Sequence, residues 1–158
     1  MSHPLTLRVI GKLQDNWQKQ AIDQYLTRLS AFSRFEIIEL NEGHEGSAKP
    51  NLKKTRTHEA ESLLKGIPTE AYVVALDEAG KTLTSTDFAD LLGMLTSEHG
   101  SVIFMIGGSW GLDASVLRRA NLVLSLGKMT FPHALARILL LEQVYRAFMI
   151  QTGRPYHK

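Results

Sequence analysis

The chain of 158 residues contains no cysteine. That excludes disulfide staples, thiolate metal sites and a cysteine nucleophile, and it fits a cytoplasmic protein. It also lacks an apolar run long enough to span a bilayer and the charged-then-apolar start of a signal peptide, so no membrane role is expected. Net charge is only +2, so affinity for nucleic acid has to come from a local patch rather than a global field. Several chemical signatures are missing or weak as well. Gly80-Lys81-Thr82 could close a Walker-A loop, but Ala75 stands where the motif's first glycine belongs, and no H-x-x-x-H or H-E-x-x-H pair offers metal ligands, so no metal is expected. The G-x-S-x-G spacing occurs once, at Gly107-Gly108-Ser109-Trp110-Gly111, and that string alone is weak evidence for a nucleophilic serine. A chain without a strong nucleophile or metal suits a reaction in which a cofactor supplies the reactive group and the protein positions it.

What is present reads as one domain over 1–158, with 44% apolar and 22% charged residues, the balance of an ordinary globular protein. Apolar runs at 5–10, 35–40, 71–76, 102–106 and 121–126 have the length and composition of strands. Helical spacing or capping residues mark 15–30, 52–65, 84–98, 112–120 and 132–151. Strands alternating with helices predict an α/β fold, a mostly parallel sheet with helices on both faces. The segment 77–81 reads as a turn, and 41–51, rich in glycine and charge, as a long loop. Helix 52–65 has only Leu52, Ala60, Leu63 and Leu64 as apolar anchors and is expected on the outside. The last helix is apolar almost all round, which predicts burial on two sides, one against the sheet and one against a second subunit.

The stretch 101–133 organises the rest. Its first strand ends in a loop with Gly107, Gly108 and Gly111, and its second in the loop Gly127-Lys128-Met129-Thr130-Phe131 before Pro132. In an open α/β sheet such loops lie at the carboxyl ends of the strands, where ligands bind. The first loop is not a dinucleotide fingerprint, since its glycines have the wrong spacing and follow the wrong strand. His133 and Arg137 lie four apart on one face of the last helix. Arg146 reads as an ion pair with Glu142, Arg154 and Lys158 as a solvated tail and His133 as a first-turn polar residue, with Tyr156 and His157 standing beside them. Together these cationic and aromatic groups suit an RNA contact, with phosphates on the cations and a base stacked on Tyr156. Asp77 and Glu78, adjacent in a turn, are not expected to converge.

Val-Ile-Gly-Lys near the start, Ile-Gly-Gly-x-x-Gly-Leu in the middle, Leu-Ser-x-x-Lys-Met-Thr-Phe-Pro-His, Leu-x-Glu-Gln-x-Tyr-Arg-Ala and the terminal Pro-Tyr-His-Lys resemble the RlmH family of the SPOUT superfamily, and the resemblance covers essentially the whole chain. The family's members are pseudouridine-N3 methyltransferases of 23S ribosomal RNA. The resemblance implies a C-terminal trefoil knot, a homodimer, S-adenosylmethionine as cofactor, and helix 69 on the assembled ribosome as substrate. It implies cofactor contacts at Leu76, Gly107 and the loop Leu126, Gly127, Lys128, Met129, Thr130 and Phe131. Chemistry then suggests His133 or His157 as the base that removes the N3 proton, Arg137 and Arg154 as groups that stabilise charge on the substrate base, and Tyr156 as its stacking or hydrogen-bonding partner. Two other classes stand beside this one: a different nucleotide-using enzyme on a Rossmann-like sheet, and a non-catalytic RNA-binding module.

Overall fold

The computed structural model describes residues 4–44, 49 and 51–158. Five parallel strands, β1 (Leu5–Ile10), β2 (Phe35–Leu40), β3 (Tyr72–Thr82), β4 (Val102–Ile106) and β5 (Leu122–Ser125), form one sheet in the order β2-β1-β4-β3-β5. The helices are α1 (Asn16–Leu29), α2 (Leu52–Leu64), α3 (Ser85–Glu98), α4 (Ala114–Arg119) and α5 (His133–Gln151). A parallel sheet covered on both faces needs strands that are apolar on both sides. The central β4, Val-Ile-Phe-Met-Ile, is buried at all five positions.

Alternation along the strands divides the core in two. Val102, Phe104 and Ile106 point to the layer of α1, α3 and α5, while Ile103 and Met105 point to that of α2 and α4. The chain therefore leaves β3 for one face and β4 for the other. Such a reversal opens a crevice at the carboxyl ends of the two strands.

Three expectations need correction. The segment 77–81 is not simply a turn, because β3 runs on to Thr82 and re-pairs with β5 after a register shift between Leu76 and Lys81. Gly80 makes this possible: a Cβ there would lie 2.7 Å from the Val123 carbonyl carbon, so only glycine lets the two backbones touch. Helix α2 is not merely external, since it buries Thr55, Glu59, Ala60 and Leu63. Finally, much of the all-round apolar surface of α5 is covered within the chain, by the sheet beneath it and by α1 and α3 on either side. The apolar groups that stay exposed lie around its start: Met129 (78% exposed), Phe131 and Leu135.

The helix ends follow their caps. Asp15 and Gln18 form a capping box on α1, and the Thr84 hydroxyl accepts from the Asp87 amide at the start of α3, both satisfying otherwise orphan N–H groups. At the far end of α2, the Arg8 guanidinium donates to the carbonyls of Leu63 (2.9 Å) and Lys65 (2.6 Å). Of the 41–51 loop, residues 45–48 and 50 lie outside the described residues. Among the described residues no helix is long and apolar enough to cross a membrane.

Candidate functional site

The crevice between β3 and β4 is a cleft of about 880 Å³. One wall is the turn 107–111, closed by a bridge between Gly108 and Gly111 in which the Gly111 amide donates to the Gly108 carbonyl at 3.1 Å. The opposite wall is the loop that leaves β5. Gly127 takes φ +145° there, a conformation that L side chains rarely adopt. Of the cofactor contacts implied by the resemblance, Leu76, Gly107, Leu126, Gly127, Met129, Thr130 and Phe131 all line the cleft, and Lys128 does not. Gly107 is needed for a neighbouring backbone, since a Cβ there would sit 3.0 Å from the Gly111 carbonyl oxygen and 3.0 Å from Leu112 Cδ2.

The cleft also holds residues that sequence reasoning passed over. Asp77 and Glu78 both line it, brought to its rim by the same register shift that prolongs β3. The Asp77 carboxylate accepts from the Ala79 amide at 2.9 Å, and Glu78 accepts from the Thr130 hydroxyl, tying the β3 rim to the β5 loop. Trp110, 42% exposed, stands at the tip of the glycine turn. A pair of carboxylates at the end of a strand was the available signal, and adjacency in sequence hid it.

Of the proposed catalytic groups, only His133 reaches the cleft. It opens α5, and among the described residues its buried Nδ1 has no hydrogen-bond partner. Burial holds the imidazole below the usual histidine range and the nearby Arg137 charge adds to this, while Glu42 acts the other way. The ring is therefore neutral at pH 7 and free to accept a proton.

Arg137, one turn further on, is 1% exposed. It donates to Glu39 Oε2 at 2.8 Å and to the Gly11 carbonyl at 3.2 Å. Its charge is thus matched inside the protein, where it pins α5 to the ends of β1 and β2. Gly11 in turn packs against His133, whose Cε1 would lie 3.2 Å from a Cβ at that position.

The tail folds back along the second half of α5 and forms a separate cluster there. Its hub lies nine residues beyond His133 in this helix, about 14 Å at 1.5 Å per residue. Glu142 is the hub: it accepts from Arg146 (3.0 and 2.6 Å) and from the Tyr156 hydroxyl (3.1 Å). The Arg146 guanidinium lies 4.7 Å from the Tyr156 ring centre and 3.3 Å from His157 Nδ1. Arg154 covers the Phe32 ring, and Tyr156 meets Tyr145 edge-on at 5.0 Å. The tail is therefore packed, not loose. Burial and the bond to Glu142 push the Tyr156 phenol up to about 12, so it acts as a neutral donor and not as a base.

Comparison with known proteins agrees with this geometry. Residues 4–157 match a family model described as a predicted SPOUT methyltransferase. The chain is 43% identical over 158 residues to a protein of Oenococcus oeni, covering 98% of each. It is 44% identical over 154 residues to one of Clostridium botulinum, covering 94% of this chain and 96% of the other. With a Bacillus pumilus protein it shares 43% identity over 157 residues, 98% and 99% of the two chains. All three relatives carry the name ribosomal RNA large subunit methyltransferase H. A cleft walled by two glycine loops at the strand ends, inside a chain matched over nearly its full length, places this protein in the SPOUT methyltransferase family.

Proposed function

We propose that the chain is an S-adenosylmethionine-dependent methyltransferase that modifies N3 of a pseudouridine in large-subunit ribosomal RNA, in helix 69 on the assembled ribosome. The observation that carries this reading is the cleft itself, with two backbone-built walls, a carboxylate rim and a neutral histidine at one end. Its residues fit the methyl donor. Gly107, Leu76 and the loop 126–131 would hold it through backbone and apolar contacts, and Asp77 and Glu78 would favour its positive charge. When bound, S-adenosylmethionine supplies the methyl group as the electrophile. The protein's own task is then to orient the substrate base and take one proton. Pseudouridine N3 lies between two carbonyls, so it becomes a nucleophile on losing its proton, and in this reading His133, which lines the cleft, accepts it. Arg137 serves as a positioning residue, holding the Gly11 turn and the start of α5.

The tail belongs to the same reading through a homodimer. Arg154, Tyr156 and His157 gather along the second half of α5 and none of them lines the cleft of its own chain, so in this reading they act on a base held in a partner's cleft. The exposed Met129, Phe131 and Leu135 beside the cleft supply an apolar patch for such a contact, and a self-complementary patch favours a two-fold dimer. The family's trefoil knot is part of this proposal too.

The test is methyl transfer from labelled S-adenosylmethionine to ribosomes that lack the modification, with the product nucleotide mapped. Label at a pseudouridine N3 in helix 69 is the expected result. Label elsewhere, or tight binding of nicotinamide cofactors in its place, would move the protein to another reaction.

A further inference from the structure

One buried acid takes no part in the chemistry described so far. Glu59 projects from the middle of α2 and is 3% exposed. Its Oε1 accepts from the Gly43 amide at 3.1 Å, and among the described residues its buried Oε2 has no hydrogen-bond partner. Among the described residues no ion pair neutralises it. Two glycines make room for this one side chain. A Cβ on Gly108, in the glycine turn, would lie 3.0 and 3.1 Å from the two carboxylate oxygens. A Cβ on Gly43 would lie 3.1 Å from Glu59 Cγ and 2.6 Å from the Thr55 carbonyl oxygen. Next to Gly43 stands Glu42, which pairs with His44 at 2.7 Å and whose charge is felt at His133.

Burying a carboxylate without a counter-ion is unfavourable, and a methionine fills the same volume without that cost. Burial pushes the Glu59 carboxyl above the usual range and Glu42 adds to it, while the backbone amides of Gly43 and Gly108 and the nearby His44 act against it. A group held at such a cost has a task beyond filling space. We infer that Glu59 is a positioning residue for methyl transfer: from inside α2 it sets both the glycine turn that walls the cleft and the 42–44 segment that faces His133. One side chain thereby fixes the donor's wall relative to the proton acceptor. The role in catalysis rests on the cleft reading given above.

Glu59→Gln and Glu59→Met separate this role from packing, because both fill the space and only glutamine can accept the Gly43 amide. The glutamine variant should stay within about threefold of wild type in S-adenosylmethionine affinity and in kcat on ribosomes. In the methionine variant affinity should fall about tenfold and kcat about a hundredfold, the effect of loosened positioning, while its melting temperature is no lower than wild type. Amide exchange at Gly43 and Gly108 should quicken in the methionine variant and not in the glutamine one. A methionine variant that matches glutamine in affinity, rate and exchange overturns the proposal. Should the methionine variant fail to fold, Glu59→Asp replaces it: the charge stays but the reach to Gly43 is lost, and wild-type behaviour there is equally fatal. If the wild-type protein does not bind S-adenosylmethionine, the cleft reading falls, and exchange at the two glycine amides still decides the Glu59 contact.

Discussion

The cleft at the start of α5 is walled by backbone and apolar side chains, whereas the cluster along the second half of that helix is a web of side chains gathered on one carboxylate. In the cleft the shape comes from Gly107, Gly111 and Gly127, positions fixed by the sheet and its loops. In the tail, Arg146 and Tyr156 converge on Glu142. The first kind of site is as rigid as the fold and is damaged by adding atoms. The second is lost by removing atoms, and the sheet would not register the loss. One helix thus carries at its start a site for holding a small molecule and, along its second half, a set of groups suited to a large polar partner.

Deleting residues 154–158 should have the largest effect and should break the two regions apart. Methyl transfer to ribosomes is expected to fall by orders of magnitude, since orientation of the substrate is lost, while S-adenosylmethionine binding and sedimentation as a dimer are unchanged. A truncated protein that methylates at the wild-type rate would reduce the tail to a packed terminus. Next comes Gly107→Val, which adds atoms where Gly111 and Leu112 already press. Overpacking of this kind costs about 1–3 kcal/mol, and in calorimetry on the folded variant S-adenosylmethionine affinity should drop at least ~10-fold. Undiminished affinity would remove the turn from the site.

The smallest effect is a displacement on the pH axis. A base whose pKa is lowered stays neutral until the pH falls below that lowered value. If His133 is the base, the acidic limb of kcat/KM should lie below the ordinary histidine value of about 6.5. Glu42 raises the His133 pKa, so Glu42→Gln should move the limb to still lower pH. A limb that moves upward, or an unchanged profile in His133→Asn, would transfer the proton to His157.

How legible these two regions were depended on what each is made of. The spans of β1, β2 and β4 match the runs read from the sequence: β4 is buried on both faces and has nothing but apolar residues, while the edge strand β2 keeps Phe35, Ile37, Ile38 and Leu40 between its two glutamates. β3 was read too short: after Leu76 the chain turns polar, and the renewed pairing at Lys81 is a matter of backbone, which hydropathy does not record. The same blind spot hid Asp77 and Glu78 at the cleft rim. In α2 the buried groups include Thr55 and Glu59, so a helix with few apolar anchors looked external while it was packing polar side chains inward. The loops of the cleft were legible as glycine-bearing strand ends, but their assignment to a methyl donor came from the family resemblance alone. Tyr156 looked like a free platform for a base, and only the folded chain reveals that Tyr145 and Glu142 hold it.

The place of Trp110 has an optical consequence. The chain has two tryptophans. Trp17 lies 54% exposed on α1, away from the cleft, and Trp110 lines it. Replacing Trp17 with phenylalanine leaves a single indole at the rim of the glycine turn, so the emission of the whole protein then comes from the cleft. Anything that enters changes the polarity and quenching around that ring, and a titration in a fluorimeter becomes a direct record of cleft occupancy, with no label attached and no turnover required.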